Sequence, residues 1–326
     1  MNQSTNSVVS RNDGEDRLPK PNTLRWAHSV CSKDGLKIAL IDKEITAIEA
    51  DIVMGHIEDD KTKDVSPITE PIMSHPPISV SDLSFTGFIN KCMEDSKDCT
   101  RQQQKHLKLD FKDVESIDPA LDTLQKSITE NSTFEKSVFL NADILKGPGG
   151  RRIRQIPIEA NTFMKKCLKF ISLINEEDRK RIVMSLGWRV DCRSFYGYTD
   201  NDVKEMKDII EKYDLMERTG GVVLALNARV LAKDPSPFES ILKEFPKMQL
   251  LVWTGTGEPQ ISRSKISRIK DHFHEIEYKD RIGFDCQVAS TEGSGMLYDN
   301  IVHFVGFFWN AKNSFFDDNV SPEAGS

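Results

Sequence analysis

The chain has no apolar run near the ~20 residues that a membrane-spanning helix needs. The longest such stretch towards its C-terminus, IVHFVGFFW, is short and holds His303. The first residues, MNQSTNSVVSRNDGEDRLPKPN, contain no apolar core of the kind a secretory leader requires, which points to a soluble intracellular chain. There is no excess of positive charge. Lys and Arg total 44 against 51 Asp and Glu, and a net charge of −7 argues against a broad nucleic-acid surface. The six cysteines, Cys31, Cys92, Cys99, Cys167, Cys192 and Cys286, include no CxxC pair, so no zinc ribbon or dithiol redox centre is expected. Only Cys92 and Cys99 lie close enough in sequence to suggest a bridge, and a chain of this size does not need one to fold. The glycine-rich KGPGGRR starting at Lys146 lacks the GxxxxGK[ST] pattern of a phosphate loop.

What is present is an ordinary globular composition, 38% hydrophobic and 29% charged. Two hydrophobic periods alternate along it. Strand-like runs are expected at Leu24–His28, Ala47–Val53, Leu107–Lys112, SVFLNAD, RIVMSLGW, GVVLALNAR, MQLLVWT and RIGFDC. Each is followed by a stretch with helical spacing. The last of these carries Met296, Leu297, Ile301, Phe304, Val305 and Phe308. Asp118 is expected to cap one helix ahead of Pro119, and Thr199 with Asp202 forms a capping box for another. The polar stretch GHIEDDKTKDVSPITEP reads as solvated surface, and Pro76-Pro77 holds His75 on a stiff loop. Eight strand–helix alternations predict an α/β protein with a closed (βα)8 TIM-type barrel. Residues 1–22 and 313–326 are expected to be loose tails around a barrel domain at 23–312.

Polar residues recur where such strands end. His28 ends the first, Glu49 and Asp51 are late in the second, and Asp110 and Lys112 end the third. Asn141 and Asp143 end the fourth, Arg189 follows the fifth, and Asn227 and Arg229 end the sixth. Glu49 and Asp51 are two apart and share one strand face. Two carboxylates on a strand that is otherwise apolar are costly to bury without a compensating charge, and a divalent cation supplies one. The plainer alternatives are a solvated strand face, histidines hydrogen-bonded in a core or loop, Lys108 and Lys112 paired with Glu49 or Asp110, and Arg229 neutralising Asp143.

Taken together, WAHSV, IEAD, SHPP, LDFK, FLNADIL followed by KGPG, and SLGW resemble the menorin family, from about Leu24 to about Gln287. That family is similar in turn to phospholipase C-like phosphodiesterase barrels, which include glycerophosphodiester phosphodiesterases and spider-venom phospholipases D. The resemblance implies one Mg²⁺ or Ca²⁺ held by Glu49, Asp51 and Asp110. It implies His28 and His75 as an acid/base pair and Lys112 as a phosphate contact. Asn141, Asp143, Arg189, Asn227 and Arg229 are then expected to line the substrate. The chain departs from the pattern at His28-Ser29-Val30, where the glycerophosphodiester enzymes carry His-Arg-Gly, and at Pro76-Pro77, which replaces an acidic residue. Two functions follow as expectations. One is a metal-dependent phosphodiesterase acting on a small phosphodiester or lipid headgroup. The other is a non-catalytic recognition or adhesion protein with a protein partner, as menorin-type proteins imply, which would act outside the cell.

Overall fold

Strand alternation has one dominant consequence in the fold: every strand of the barrel has an apolar back and a mixed front. In this computed structural model residues 18–289 are described, except 60–61, 132, 151–155, 256–257 and 276–277. The strands are β1 Trp26–Ala27, β2 Ala47–Glu58, β3 Val65–Met73, β4 Val80–Ser81, β5 His106–Phe111, β6 Val138–Lys146, β7 Ile182–Arg189, β8 Gly221–Asn227, β9 Gln249–Trp253 and β10 Ile282–Asp285. Eight of them run parallel in the order β1-β2-β5-β6-β7-β8-β9-β10, with β3 and β4 off this path on β2. The result is a nearly closed parallel barrel inside a jacket of helices. The principal helices are α1 Lys33–Ile41, α2 Phe85–Asp98, α3 Ile117–Glu130 and α4 Ala160–Leu173, then α5 Glu176–Arg179, α6 Asp200–Lys212 and α7 Leu215–Arg218. They continue with α8 Ala228–Leu231, α9 Phe238–Glu244 and α10 Arg263–Glu275.

The strand backs, such as Ile48, Ala50 and Ile52 or Leu107, Leu109 and Phe111, join helix residues in one large core. Edge-to-face aromatic pairs, Phe111 on Phe163 and Trp188 on Tyr198 and Phe238, fix the helices to it. The fronts form a second, smaller core at the N-terminal end of the lumen, made of Leu24, Trp26, Ala47, Phe139, Val183, Val223 and Leu251. A filled lumen with the functional groups above it is the layered arrangement of such barrels.

The seam between β1 and β10 is covered by the chain that precedes β1. Gly283 has no side chain because Pro21 O lies 2.6 Å from where its Cβ would be. Gln249 Nε2 donates to Pro19 O at 3.0 Å, Lys20 pairs with Asp280 at 3.3 Å, and Leu18 packs on the lumen core. Leu18 to Asn22, assigned to a tail by their polar setting, are therefore packed residues. Their anchors, Leu18 and the backbone of Pro19 and Pro21, leave no periodic signature.

The polar stretch after the second strand is also not plain surface. β2 continues to Glu58 and β3 returns antiparallel to it, with Ile52 opposite Met73 and His56 opposite Thr69. Pro67 and Pro71 conceal this strand in the sequence, because proline is excluded from central strands but tolerated on an edge. The third helix starts at Ile117 with Ser116 as its N-cap, so Asp118 lies in its first turn rather than capping it. The Thr199–Asp202 capping box is present. All six cysteines are free. Cys92 and Cys99 are separated by about 10 Å of helical rise at 1.5 Å per residue, beyond the roughly 7 Å that a disulfide spans. The helix expected over Met296–Phe308 and the tail at 313–326 lie outside the described residues. Among the described residues no helix is long and apolar enough to cross a membrane.

Candidate functional site

Strand register assembles the site. Parallel pairing sets Glu49 beside Lys108 and Asp51 beside Asp110. The next strand sets Asp110 beside Asn141, and the one after sets Asn141 beside Ser185. All face the lumen, one layer above the apolar plug. Glu49, Asp51 and Asp110 are buried, and each offers an oxygen within 4.8 Å of the others'. Such a group repels itself unless cations or donors face it.

Those partners are visible. His28 Nδ1 lies 3.0 Å from Asp285 Oδ2 and 3.6 Å from Glu49 Oε2. Lys112 Nζ lies 3.1 Å from Asp51 Oδ1 and 2.8 Å from Asp110 Oδ2, bridging two of the three carboxylates. Ser29 has a left-handed backbone, φ 56°. That turn aims its N–H at Glu49 Oε2, 2.7 Å away, and its hydroxyl at Asp51 Oδ2, 3.3 Å away. Such a conformation costs a non-glycine residue on the order of 1 kcal/mol, and the charge-assisted hydrogen bond to Glu49 offsets it. Ser185 Oγ donates to Asn141 Oδ1 at 2.6 Å, which leaves the Asn141 amide to face Asp110. Arg189 Nη1 reaches Asp143 Oδ2 at 3.3 Å.

Proton affinities follow from these contacts. Burial disfavours the His28 imidazolium, but Glu49 and Asp285 outweigh burial and raise its pKa to about 9. Burial pushes the Glu49 carboxyl up, with His28 opposing and Asp51 adding to the rise. Burial also pushes Asp143 up against the pull of Lys112 and Arg189. Asp110 is held below the usual carboxylate range, because Lys112, Lys108 and Asn141 overcome the cost of its burial. Lys112 overcomes its own burial through Asp110 and Asp51 and is held well above the ordinary lysine value.

A cavity of about 170 Å³ opens over this layer. Its walls include His75, Asp110, Lys112, Asp143, Ile156 and Arg189. His75 is exposed on the loop after β3, with Nδ1 2.7 Å from Pro76 O, so Nε2 is the nitrogen left for a ligand. Most of the residues read from the sequence thus meet at one rim: His28, Glu49, Asp51, His75, Asp110, Lys112, Asn141, Asp143 and Arg189.

Asn227 and Arg229 are held by partners of their own. β8 ends at Asn227, whose side chain caps α8 by accepting from Arg229 N at 3.0 Å and donates to Glu258. Arg229 then lies in a helical turn rather than at a strand end, and its Nη1 donates to Pro259 O and Gln260 O, both at 3.3 Å. Asp143 is neutralised by Arg189 and Lys112 instead. Asp285 is the residue that reading by strand ends left out. Its signal was available, an acid in the last inward position of the eighth strand, in the way that His28 follows the first.

The menorin N-terminal domain matches residues 21–281. Human protein FAM151B is 26% identical over 271 residues, covering 82% of this chain and 83% of that protein. The matched region holds every strand up to β9 and all the rim residues except Asp285, and with its barrel and buried acidic triad the chain belongs to the menorin family.

Proposed function

We propose that the rim is a metal-dependent phosphodiesterase-like site of the phospholipase C-like type. The observation that carries this reading is the buried triad of Glu49, Asp51 and Asp110, of which Asp110 lines a cavity walled also by His75, Lys112 and Arg189. Carboxylate oxygens alone form a hard donor set that suits Mg²⁺ or Ca²⁺. Cys31, the nearest soft donor, keeps its proton through burial and stands 3.9 Å from Asp51. When bound, the cation would polarise a phosphoryl oxygen and offset charge as it develops.

The protein's own groups supply the rest. Asp285 holds His28 by Nδ1, so Nε2 faces the substrate and exchanges a proton with an attacking or leaving oxygen. His75 Nε2 does the same from the other wall. Lys112 and Arg189 place positive charge beside a phosphate that fits a cavity of this size. Lys112 and Lys108 keep Asp110 ionised, and Asn141 adds a hydrogen bond to it.

Calorimetry with Mg²⁺ and Ca²⁺ tests the metal, and turnover across glycerophosphodiesters and lysophospholipids tests the reaction. Binding is expected to the native chain and to be lost in Glu49→Gln plus Asp51→Asn. His28→Ala is expected to keep the metal and lose turnover. A native chain that binds neither cation would overturn the reading.

One observation favours a second reading, a non-catalytic recognition protein on the same barrel. Lys112 already bridges Asp51 and Asp110, so the fold neutralises much of its acidic layer internally. Cation binding without turnover on the whole panel would leave this reading in place.

A further inference from the structure

The outer face of the barrel is well covered until β10. Outward side chains such as Leu140 and Ala142 on β6, Leu224 and Leu226 on β8, and Leu250 and Val252 on β9 are fully buried. On β10, Ile282 is buried, but Phe284 is only partly so, as is Val288 just beyond the strand. A cavity of about 220 Å³ lies over them, with Ile266, Ser267, Lys270, Phe284, Cys286 and Val288 among its walls. Ile266, Ser267 and Lys270 are three and four apart on α10 and share one helix face. The cavity is therefore a groove between α10 and the back of β10. Lys270 Nζ stands 5.2 Å from the centre of the Phe284 ring, and Cys286 Sγ donates to Val252 O at 3.3 Å.

The route of the chain supplies an occupant. From β1 to β10, each connection between neighbouring parallel strands contains a helix that carries the chain onward around the barrel. Among the described residues no helix follows β10. The chain reaches Ala289, whose N–H donates to Ile261 O at 2.8 Å just before α10, and residues 290–326 continue from there. Residues 290–295, STEGSG, are polar and glycine-containing and have the length of an ordinary strand–helix loop. Residues 296–308 then carry Leu297, Ile301, Phe304, Val305 and Phe308 at helical spacing. As a helix they would be about 20 Å long at 1.5 Å per residue, the length of α10 with its 13 residues.

We propose that residues 296–308 dock as an amphipathic helix on the back of β10, in the groove beside α10. The stripe from Leu297 to Phe308 would cover Phe284 and Val288, with the stems of Lys270 and Arg263 along its edge. A segment tethered six residues away meets the groove at an effective concentration on the order of mM, which favours it over a second copy of the chain. Asp285 lies between Phe284 and Cys286, faces the lumen and stands 3.0 Å from His28 Nδ1. The docked segment would thus back the strand that positions this histidine. The proposal rests on neither metal binding nor turnover.

The test is hydrogen exchange of the full chain, read by mass spectrometry at several protein concentrations. Residues 296–308 are expected to exchange about tenfold or more slowly than an unstructured chain, at every concentration. Phe284→Ser plus Val288→Ser should abolish that protection and leave β5, β6 and β7 protected. Phe304→Ser plus Phe308→Ser, which changes no residue of the barrel, should speed exchange in β10 about tenfold or more. The proposal is overturned if residues 296–308 of the native chain exchange as an unstructured chain does, or if the groove variant leaves their protection intact. It is also overturned if the protection grows with concentration alongside a dimer, which would make a second copy the occupant. Should the groove variant unfold altogether, the segment variant decides, and unchanged exchange in β10 overturns the proposal.

Discussion

The two ends of the barrel lumen carry the same kind of residue in opposite states. His106 begins β5 at the N-terminal end, and His28 follows β1 at the C-terminal end. His106 is buried and His28 largely so, and burial alone disfavours a charged ring. His106 meets Phe139 and the Ser137 amide, and burial, helped by the charge of Lys136, lowers its pKa to about 3. His28 meets Glu49 and Asp285 and rises to about 9. Depth in the protein does not decide the charge of a group; the partners that strand register sets beside it do. One end of the lumen is built to exclude ions and the other to hold them, on the same strands and a few residues apart.

That contrast can be broken from the charged end. Lys112→Met removes the ammonium shared by Asp51 and Asp110 and leaves buried carboxylates unpaired. Removing one partner of a buried pair costs roughly 3–5 kcal/mol, measured by urea unfolding in EDTA. Added Mg²⁺ is expected to restore much of this loss, and to bind the variant more tightly than the native chain by calorimetry. A loss that Mg²⁺ leaves unchanged would mean that the triad holds no cation.

From the apolar end, Phe139→Ala empties the centre of the plug. A buried aromatic truncated to alanine costs roughly 3–5 kcal/mol. No metal ligand is touched, so cation affinity at the rim should stay within about twofold when sites share no contacts. A large drop in affinity would show that the two ends are not independent. A chain that begins at Thr23 lacks Leu18 and the backbone that closes the β1–β10 seam. It should lose roughly 2 kcal/mol, about the burial of one large side chain, relative to a chain that begins at Leu18. Equal unfolding midpoints would show that the seam closes without those residues.

The histidines set the pH dependence of stability. His28 has a folded pKa above its ordinary 6.5, so its contribution is fully present below about pH 6.5 and is lost as pH rises through about 9. His106 has a folded pKa below 6.5, so its contribution is present above that value and is lost as pH falls towards about 3. Stability measured from pH 3 to 10 should fall at both extremes. His106→Gln should flatten the acid side and His28→Gln the alkaline side. A cation at Glu49 would cancel the attraction that raises His28, so NMR titration should show that pKa fall in saturating Mg²⁺. A His28 titration indifferent to Mg²⁺ would separate the histidine from any metal site.

Much of this was legible in the sequence because strand period and barrel layering are local rules. Leu107, Leu109 and Phe111 against Lys108, Asp110 and Lys112 sort a strand into its two faces before any contact is known. The two-residue spacing of Glu49 and Asp51 puts both carboxylates in the lumen on the same grounds. Where local rules mislead, the cause is specific. Pro67 and Pro71 hide β3, since an edge strand breaks the pattern of a central one. Arg229 reads as a strand end, but Asn227 caps a helical turn there and directs the arginine to Pro259 and Gln260.

By itself the sequence determined the alternation of strands and helices, the apolar backs of the strands and the carboxylate pair on the second of them. Each depends on residues a few positions apart, within reach of backbone geometry. Only the tertiary structure decided that Asp51 faces Asp110, that Lys112 bridges both, and that Asp285 holds His28 across 257 residues of chain. It also decided that Leu18 closes the seam. These relations depend on inter-strand register and on where the barrel's two ends meet, and no local period encodes either.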